Sequence, residues 1–173
     1  MKGSPRSISR ANPQKQQIRK VTVPVKALAL SVVGAAGVGF GSAVIGGLPQ
    51  GNLLYLGAVS YLKFTKSAAD ANAIATFAGN FAIGTAPNAN AQLSDTGDAD
   101  LLPATAIAAA VAGVSTLIRA ASTDALGGGV IDNTDGSLEL NLNMLVDDAS
   151  ISGTAAFTVD GVVTLAFIVL GDD

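Results

Sequence analysis

The stretch GVGFGSAVIGGLPQGN, residues 37–52, decides which class of fold this chain can adopt. Its glycines suit a phosphate-binding loop, a weak membrane span or a glycine-rich strand. A P-loop needs a lysine directly after its last glycine, but Gly46 is followed by Gly47 and Leu48. A dinucleotide fingerprint needs a third glycine where Ser42 stands. The sequence therefore argues against a nucleotide site.

A membrane span has to be considered because residues 27–62 contain no charged side chain. The segment is rich in Ala and Gly, and GGLPQGN interrupts it, so we expect no membrane span. Larger and smaller residues alternate along it, as in a strand: Val38, Phe40, Ser42 and Val44 against Gly37, Gly39, Gly41, Ala43 and Ile45. We interpret the glycines as a bare face that another backbone approaches closely. GGLPQG is then the loop of a hairpin whose second strand is NLLYLGAVSYLKF.

Further strands are predicted along the rest of the chain. VTVPVKALALSVV is β-rich, and Pro24 suits an edge strand or a strand start. IATFAGNFAIG and VSTLIRAAS are also predicted to be extended. TAAFTVDGVVTLAFIVLG closes the chain, and its Asp160-Gly161 pair is either a tight hairpin turn or a bulge within one long strand.

The clearest alternation lies in SLELNLNMLV, which predicts a half-buried strand with one wet face. Its apolar and polar positions are Leu138, Leu140, Leu142, Met144 and Val146 against Glu139, Asn141 and Asn143. One segment, residues 101–113, predicts a short helix, with a proline near its start, an alanine run and a final glycine. Seven to nine strands and one helix indicate an all-β antiparallel sandwich or barrel.

Charge divides the chain into two parts. Residues 1–26 carry seven basic and no acidic side chains, whereas the remainder carries three basic and all 13 acidic ones. We predict an extended basic N-terminal arm, 1–26, and a β-sandwich body, 27–173. The arm contacts an acidic partner, including another copy of the body, or it is a mobile tail. Arg6, Arg10, Arg19 and Lys20 are its candidate partner-binding residues. No nucleic-acid partner is expected, because the arm lacks aromatic residues and the body would repel phosphates.

Composition argues against enzyme chemistry. The chain has no His, Cys or Trp, and Glu139 is its one glutamate, so we predict no catalytic residues and no cofactor. Three acidic segments offer oxygen ligands for calcium: SDTGDAD with Asp95, Asp98 and Asp100, VDDAS with Asp147 and Asp148, and IDNTDGS with Asp132, Thr134 and Gly136. Because Asp, Asn and Gly are also common turn formers, turns are the favoured interpretation and no metal site is predicted.

Three stretches of the body resemble the decoration, or cement, proteins of tailed bacteriophage heads, of the kind found with marine and cyanobacterial phages. They are residues 37–64, residues 81–110 and residues 130–173, beginning GVGFGSAV, FAIGTAPN and VIDNTDGS. The resemblance implies a jelly-roll-like sandwich that assembles with itself, commonly as a trimer. It also implies binding to the major capsid protein on the outer surface of the virion, where the protein bridges neighbouring capsomers. It implies no enzyme activity and supplies no functional residues.

Two other functions are left open by the sequence. One is a β-sandwich associated with a tail or head fibre, with a structural or receptor-binding role. The other is a carbohydrate-binding or minor hydrolase domain, which the absence of Trp and the presence of only two Tyr make less favourable.

Overall fold

A computed structural model describes residues 18–35, 38–94, 97–122 and 129–171. These residues form nine strands and one short 3₁₀ turn, Asp148–Ser150, and no α-helix occurs among them. The strands are β1 (Ile18–Ala35), β2 (Val38–Gly47), β3 (Gly51–Lys66), β4 (Gly79–Gly84), β5 (Leu102–Ile107), β6 (Ile118–Ser122), β7 (Val130–Asn133), β8 (Glu139–Asp147) and β9 (Ala155–Gly171).

All strand pairs are antiparallel and follow the order β5-β4-β8-β2-β1-β9-β3-β6, with β7 also paired to β3. Residues 18–32 of β1 pair with β9, and residues 33–35 pair with β2, so β1 passes from one sheet to the other. We call β1, β9, β3, β6 and β7 sheet I, and β5, β4, β8 and β2 sheet II. The ends of the path, β5 and β6, also contact each other, so the two sheets nearly close into a barrel.

The core lies between the two sheets and contains most of the aromatic rings. Phe64 of β3 packs on Phe81 of β4 with ring centroids 5.2 Å apart, which joins sheet I to sheet II. Phe77 meets Phe157 of β9 edge-on at 4.9 Å. All four rings are almost fully buried, so they stabilise the contact between the sheets by both area and geometry. The predicted all-β antiparallel, jelly-roll-like sandwich is confirmed.

The predicted helix at 101–113 is wrong. Residues 102–107 form β5, which pairs with β4 and buries Leu102 and Ile107 against the core. Pro103 fits because β5 is an outer strand with a register irregularity at this point. The alanine run follows β5 at residues 108–110, and its helix propensity of a few tenths of a kcal/mol per residue, roughly, is too small to form a helix without the preceding residues.

The predicted hairpin between residues 38–47 and 52–64 is also wrong, although both segments are strands. β2 pairs with β1 and β8 in sheet II, whereas β3 pairs with β9, β6 and β7 in sheet I. GGLPQG is therefore a crossover between sheets. Asn133 fixes it by donating its side-chain amide to the carbonyls of Leu48 and Pro49, at 3.1 and 2.9 Å.

Close backbone approach at the glycine face is confirmed at Gly41, whereas Gly39 is approached by side chains. A Cβ on Gly41 would overlap the carbonyl oxygen of Ser31 on β1, and one on Gly39 would overlap the side chain of Ile151. Gly37 lies outside the described residues. The close approach of β1 to β2 therefore depends on the missing side chain at Gly41, and the space beside Gly39 is occupied by the Ile151 side chain.

The Asp160-Gly161 pair lies inside one long strand, β9, rather than in a hairpin turn. The irregularity is on the partner strand, where the register shifts between Val25 and Leu28. Ala27 has a positive φ of 45° there, and its N–H donates to Oδ1 of Asp160 at 2.8 Å. Residues 18–32 have ladder partners only on β9 among the described strands, so Pro24 occupies an edge, as predicted.

Candidate interaction surfaces

The outer face of sheet I presents rows of side chains across four strands. Ladder register aligns Ile18, Ile168, Leu54 and Val130 in one row. A second, parallel row contains Thr22, Thr164, Val59 and Ala121. A third contains Pro24, Val162, Tyr61 and Arg119. Their chain neighbours, including Leu53, Tyr55 and Phe167, point into the core, so these rows point away from it. We call this surface the basic face and include Lys20 and Lys63 at its rim.

The basic face is apolar in its centre and charged at its rim. Ile18 and Val130, at the two ends of the first row, are 62% and 55% exposed. Arg119 lies at one edge with its guanidinium carbon 5.8 Å from the centroid of the Tyr61 ring, a cation–π distance. Lys63 is opposite Asp160 in the ladder. A broad apolar area with a charged border is typical of a protein contact surface.

Charge is segregated between the two sheets. All six basic residues of the described chain lie on strands of sheet I: Arg19, Lys20, Lys26, Lys63, Lys66 and Arg119. Only Asp132 and Asp160 are acidic on those strands. Sheet II, its loop 85–101 and the turn after β8 carry five acidic and no basic residues among those described: Asp98, Asp100, Glu139, Asp147 and Asp148. Among the described residues, the strands of sheet I therefore carry a net positive charge, and sheet II with its loop and turn carries a net negative charge; Asp70 and Asp135 lie in the other connections.

A second uncovered surface lies on the outer side of sheet II. Val33, Phe40 and Leu145 are aligned across β1, β2 and β8. Val33 is 51% exposed, and the other two are half-buried. Asp147, two residues beyond Leu145 on the same side of β8, and Asp148 in the following turn are exposed. We call these five residues the acidic face.

The face of β8 predicted to be wet is covered at Asn141 and Asn143, where the prediction is wrong, and exposed at Glu139, where it is confirmed. Asn141 and Asn143 are buried, as are the apolar residues that alternate with them. The Asn143 side chain donates to the carbonyls of Ala86 and Asp98, at 3.0 and 2.6 Å, and accepts from the N–H of Asn88 at 2.9 Å. The loop after β4 therefore lies across the outside of β8 and is held there by one amide. Asparagine is usually an exposed residue, so the sequence carried no signal for this burial.

The described residues of the SDTGDAD segment have a structural role. Asp98 and Asp100 are buried, and Asp95 lies outside the described residues. Asp100 accepts from the N–H and the hydroxyl of Thr85, at 2.9 and 2.6 Å. Burial raises the pKa of Asp100, and the Thr85 hydrogen bonds oppose that rise. No group of three or more potential metal-ligating acidic residues occurs in the described ranges.

The IDNTDGS segment forms a turn, as favoured from the sequence. Asp132 accepts from the N–H and hydroxyl of Thr134, at 3.1 and 2.8 Å. Asp135 does the same for Ser137, at 3.0 and 2.8 Å. These hydrogen bonds lower the pKa of both carboxyl groups. By accepting hydrogen bonds from residues two positions later, these carboxylates stabilise the turn that connects β7 to β8.

The structure separates the four candidate arm residues. Arg6 and Arg10 lie outside the described residues. Arg19 and Lys20 are exposed in β1, opposite Phe167 and Ala166 of β9, and alternation places them on opposite sides of sheet I. Only Lys20 therefore belongs to the basic face. The division at residue 26 and the binding role of the arm stay predictions.

No helix in the described part of the chain is long and apolar enough to cross a membrane. No known family model matches the sequence, and no curated protein matches it. The solved structures to which the chain is similar include two from one virus. One is the structure of infectious bursal disease virus, Gx strain, at 14% identity and a TM-score of 0.41. The other is the VP2 subviral particle of the same virus, at 12% identity and a TM-score of 0.27.

These similarities cover 87% and 90% of this chain but only 33% and 42% of the respective virus chains. The chain thus spans well under half the length of the proteins it is similar to. With TM-scores of this size, the fold assignment rests on the strand pairing described above. The resemblance to phage cement proteins stays a prediction.

Proposed function

We propose that this chain is a structural protein of a virus particle, and specifically a cement protein on the outer surface of a tailed-phage head. In this role it associates with itself, contacts the major capsid protein and bridges neighbouring capsomers. The protein acts by contact area and carries out no reaction. The sequence resemblance over residues 37–64, 81–110 and 130–173 supports the proposal.

The observation that carries the proposal is the broad outer face of sheet I. Three rows of mostly apolar or uncharged side chains cross four strands, and both ends of the first row are more than half exposed. Adjacent strands are about 4.8 Å apart, so each row is roughly 15 Å wide. A rigid sheet that presents such a surface loses little conformational entropy on binding, which suits a protein whose task is adhesion.

The proposal is tested with purified particles. Adding the full chain to undecorated heads should saturate at hundreds of copies per particle and should raise the temperature at which heads release DNA. Saturation at tens of copies or fewer would favour the fibre-associated alternative. Absence of binding to heads at micromolar concentration would contradict the proposed function.

We assign the arm to the contact with the shell, because it carries seven positive charges and the opposite sign to the body. Replacing Arg6 and Arg10 with serine leaves β1 intact and should weaken binding to heads about tenfold, by loss of two ionic contacts. Lys26→Ser removes one charge from the body side of the arm and serves as the control. Unchanged binding by the Arg6/Arg10 variant, or after deletion of residues 1–20, would remove the arm from the proposal.

A further inference from the structure

The two uncovered surfaces are complementary in sign and in composition. The basic face has a row of Pro24, Val162 and Tyr61 bordered by Lys20 and Arg119. The acidic face has a row of Val33, Phe40 and Leu145 bordered by Asp147 and Asp148. Asp132 and Asp160 also lie on the outer side of sheet I, so the basic face is net positive rather than purely basic. Each face offers apolar contact area bordered by charge, and the net charges of the two faces have opposite signs.

We propose that the basic face of one copy of this chain packs on the acidic face of a second copy, in a head-to-tail contact. The inference deepens the proposed structural role by naming the partner of the sheet I face, and it is testable without particles. The two faces lie on the outer sides of opposite sheets, so one molecule can use both at once. Such a contact is heterologous and builds a closed ring or a filament, in contrast to a two-fold dimer.

Each face fits the opposite face of a second copy better than it fits the identical face of that copy. Two basic faces placed together would bring Lys20 and Arg119 of one copy near the same residues of the other. Two acidic faces would likewise oppose Asp147 and Asp148 with no basic residue of sheet II nearby among those described. The head-to-tail arrangement replaces both repulsions with attractions, which favours that orientation.

The faces also limit the strength of the contact. Three rows of about 15 Å extend for about 20 Å along the strands, given a spacing of roughly 3.3 Å per residue. Such a footprint is smaller than the approximately 800 Å² that each partner contributes to a standard interface. Its charged rims are exposed to solvent. We therefore expect micromolar association in dilute buffer that weakens about tenfold when NaCl is raised from 50 to 500 mM.

Charge exchange between the faces tests the inference by sedimentation velocity on the full chain. The variant K20E/R119E reverses the basic face, and D147K/D148K reverses the acidic face. All four side chains are exposed, so both variants should keep the wild-type circular dichroism spectrum and melting temperature. Glu139→Lys reverses a charge at the other end of β8 and is the matched control. It should associate as the wild type does.

Each single-face variant should be monomeric where the wild type associates. The variant with all four substitutions should associate again, because both rims have changed sign together. A monomeric wild type at 50 mM NaCl and 500 µM protein would overturn the inference. So would a four-substitution variant that stays monomeric while the wild type associates.

Two further outcomes would name a different partner and would also overturn the inference. Association that survives K20E/R119E but not D147K/D148K would indicate that the acidic face binds the basic arm. If K20E/R119E abolishes binding to heads without changing self-association, the basic face binds the shell. Binding to heads by a chain that never self-associates would leave the proposed function standing, so the two failures are distinguishable.

Discussion

Replacing Asn143 with alanine should detach the loop between β4 and β5 from the outside of β8. The side chain is fully buried and makes three hydrogen bonds to main-chain groups of that loop, at Ala86, Asn88 and Asp98. The substitution leaves two carbonyls and one N–H without this partner. Each buried group that loses its partner lowers the free energy of unfolding by about 1–3 kcal/mol, whereas a group near the surface loses less because it hydrogen-bonds to water instead.

We expect a loss of about 3–5 kcal/mol in the free energy of unfolding, since two of the three groups belong to buried residues. For a chain of this size each kcal/mol lowers the melting temperature by about 2–4 °C, so the expected decrease is about 10 °C. Urea denaturation followed by circular dichroism measures the free energy. Hydrogen exchange of the Asn88 amide measures release of the loop.

The control is Asn80→Ala, on the outer side of the neighbouring strand β4, where the side chain is only half-buried. It should change the free energy by less than about 0.5 kcal/mol. If Asn143→Ala behaves like Asn80→Ala and the Asn88 amide keeps its protection, the amide does not hold the loop. Loss of amide protection with unchanged global stability would show that the loop opens independently, which would contradict the predicted magnitude.

Other substitutions test the close contacts and the buried carboxylate. Gly41→Ala should destabilise by about 2–4 kcal/mol in urea denaturation, because its Cβ would overlap the Ser31 carbonyl, whereas Gly47→Ala on the same strand should be nearly neutral. A small effect at Gly41 would show that β1 can move aside. Asp100 has a raised pKa in the folded state, so its contribution to stability is full below about pH 4 and is lost as pH rises towards the raised value. Asp100→Asn should therefore flatten the decline of stability with rising pH above pH 4, and an unchanged slope would contradict the assignment.

Strands were predictable wherever large side chains alternate with small or polar ones. The segments that became β2 and β8 were identified in this way. Alternation reports the local period of the backbone, and that period does not depend on which strand lies alongside. The partner of each strand is a long-range choice, so the pairing of β2 with β8, about a hundred residues later in the chain, left no local pattern.

Residue chemistry misled where the tertiary context overrides it. The turn-forming sequence GGLPQG indicated a hairpin, but the Asn133 side chain bonds Leu48 and Pro49 and holds the segment open as a crossover. The polar positions of β8 indicated water, but Asn143 faces a loop. Both errors involve an asparagine whose side chain bonds main-chain groups distant in sequence, which alternation cannot reveal.

The candidate surfaces were only partly predictable, because charge was apparent along the chain but not across the sheets. The sequence separates a basic arm from an acidic body, and in the body only Lys63, Lys66 and Arg119 are basic. The grouping of Lys63 and Arg119 on the outer side of sheet I follows from strand pairing, since β3 and β6 are neighbours in that sheet. Lys66 points to the other side of β3 and donates to the carbonyls of Asp70 and Ala73.

The crossover at residues 46–51 places the basic residues of β3 on a different sheet from the acidic residues of β8. Had β2 and β3 formed a hairpin, the lysines of β3 would lie beside the strand that pairs with β8 and its acidic ends. The crossover instead moves β3 to the opposite sheet, where β1 contributes Lys20 and β6 contributes Arg119. Gly51, which has a positive φ of 114°, lies where that passage ends and β3 begins. Residues 46–51, whose sequence argues against a phosphate site, are thus the segment that separates the basic face from the acidic face.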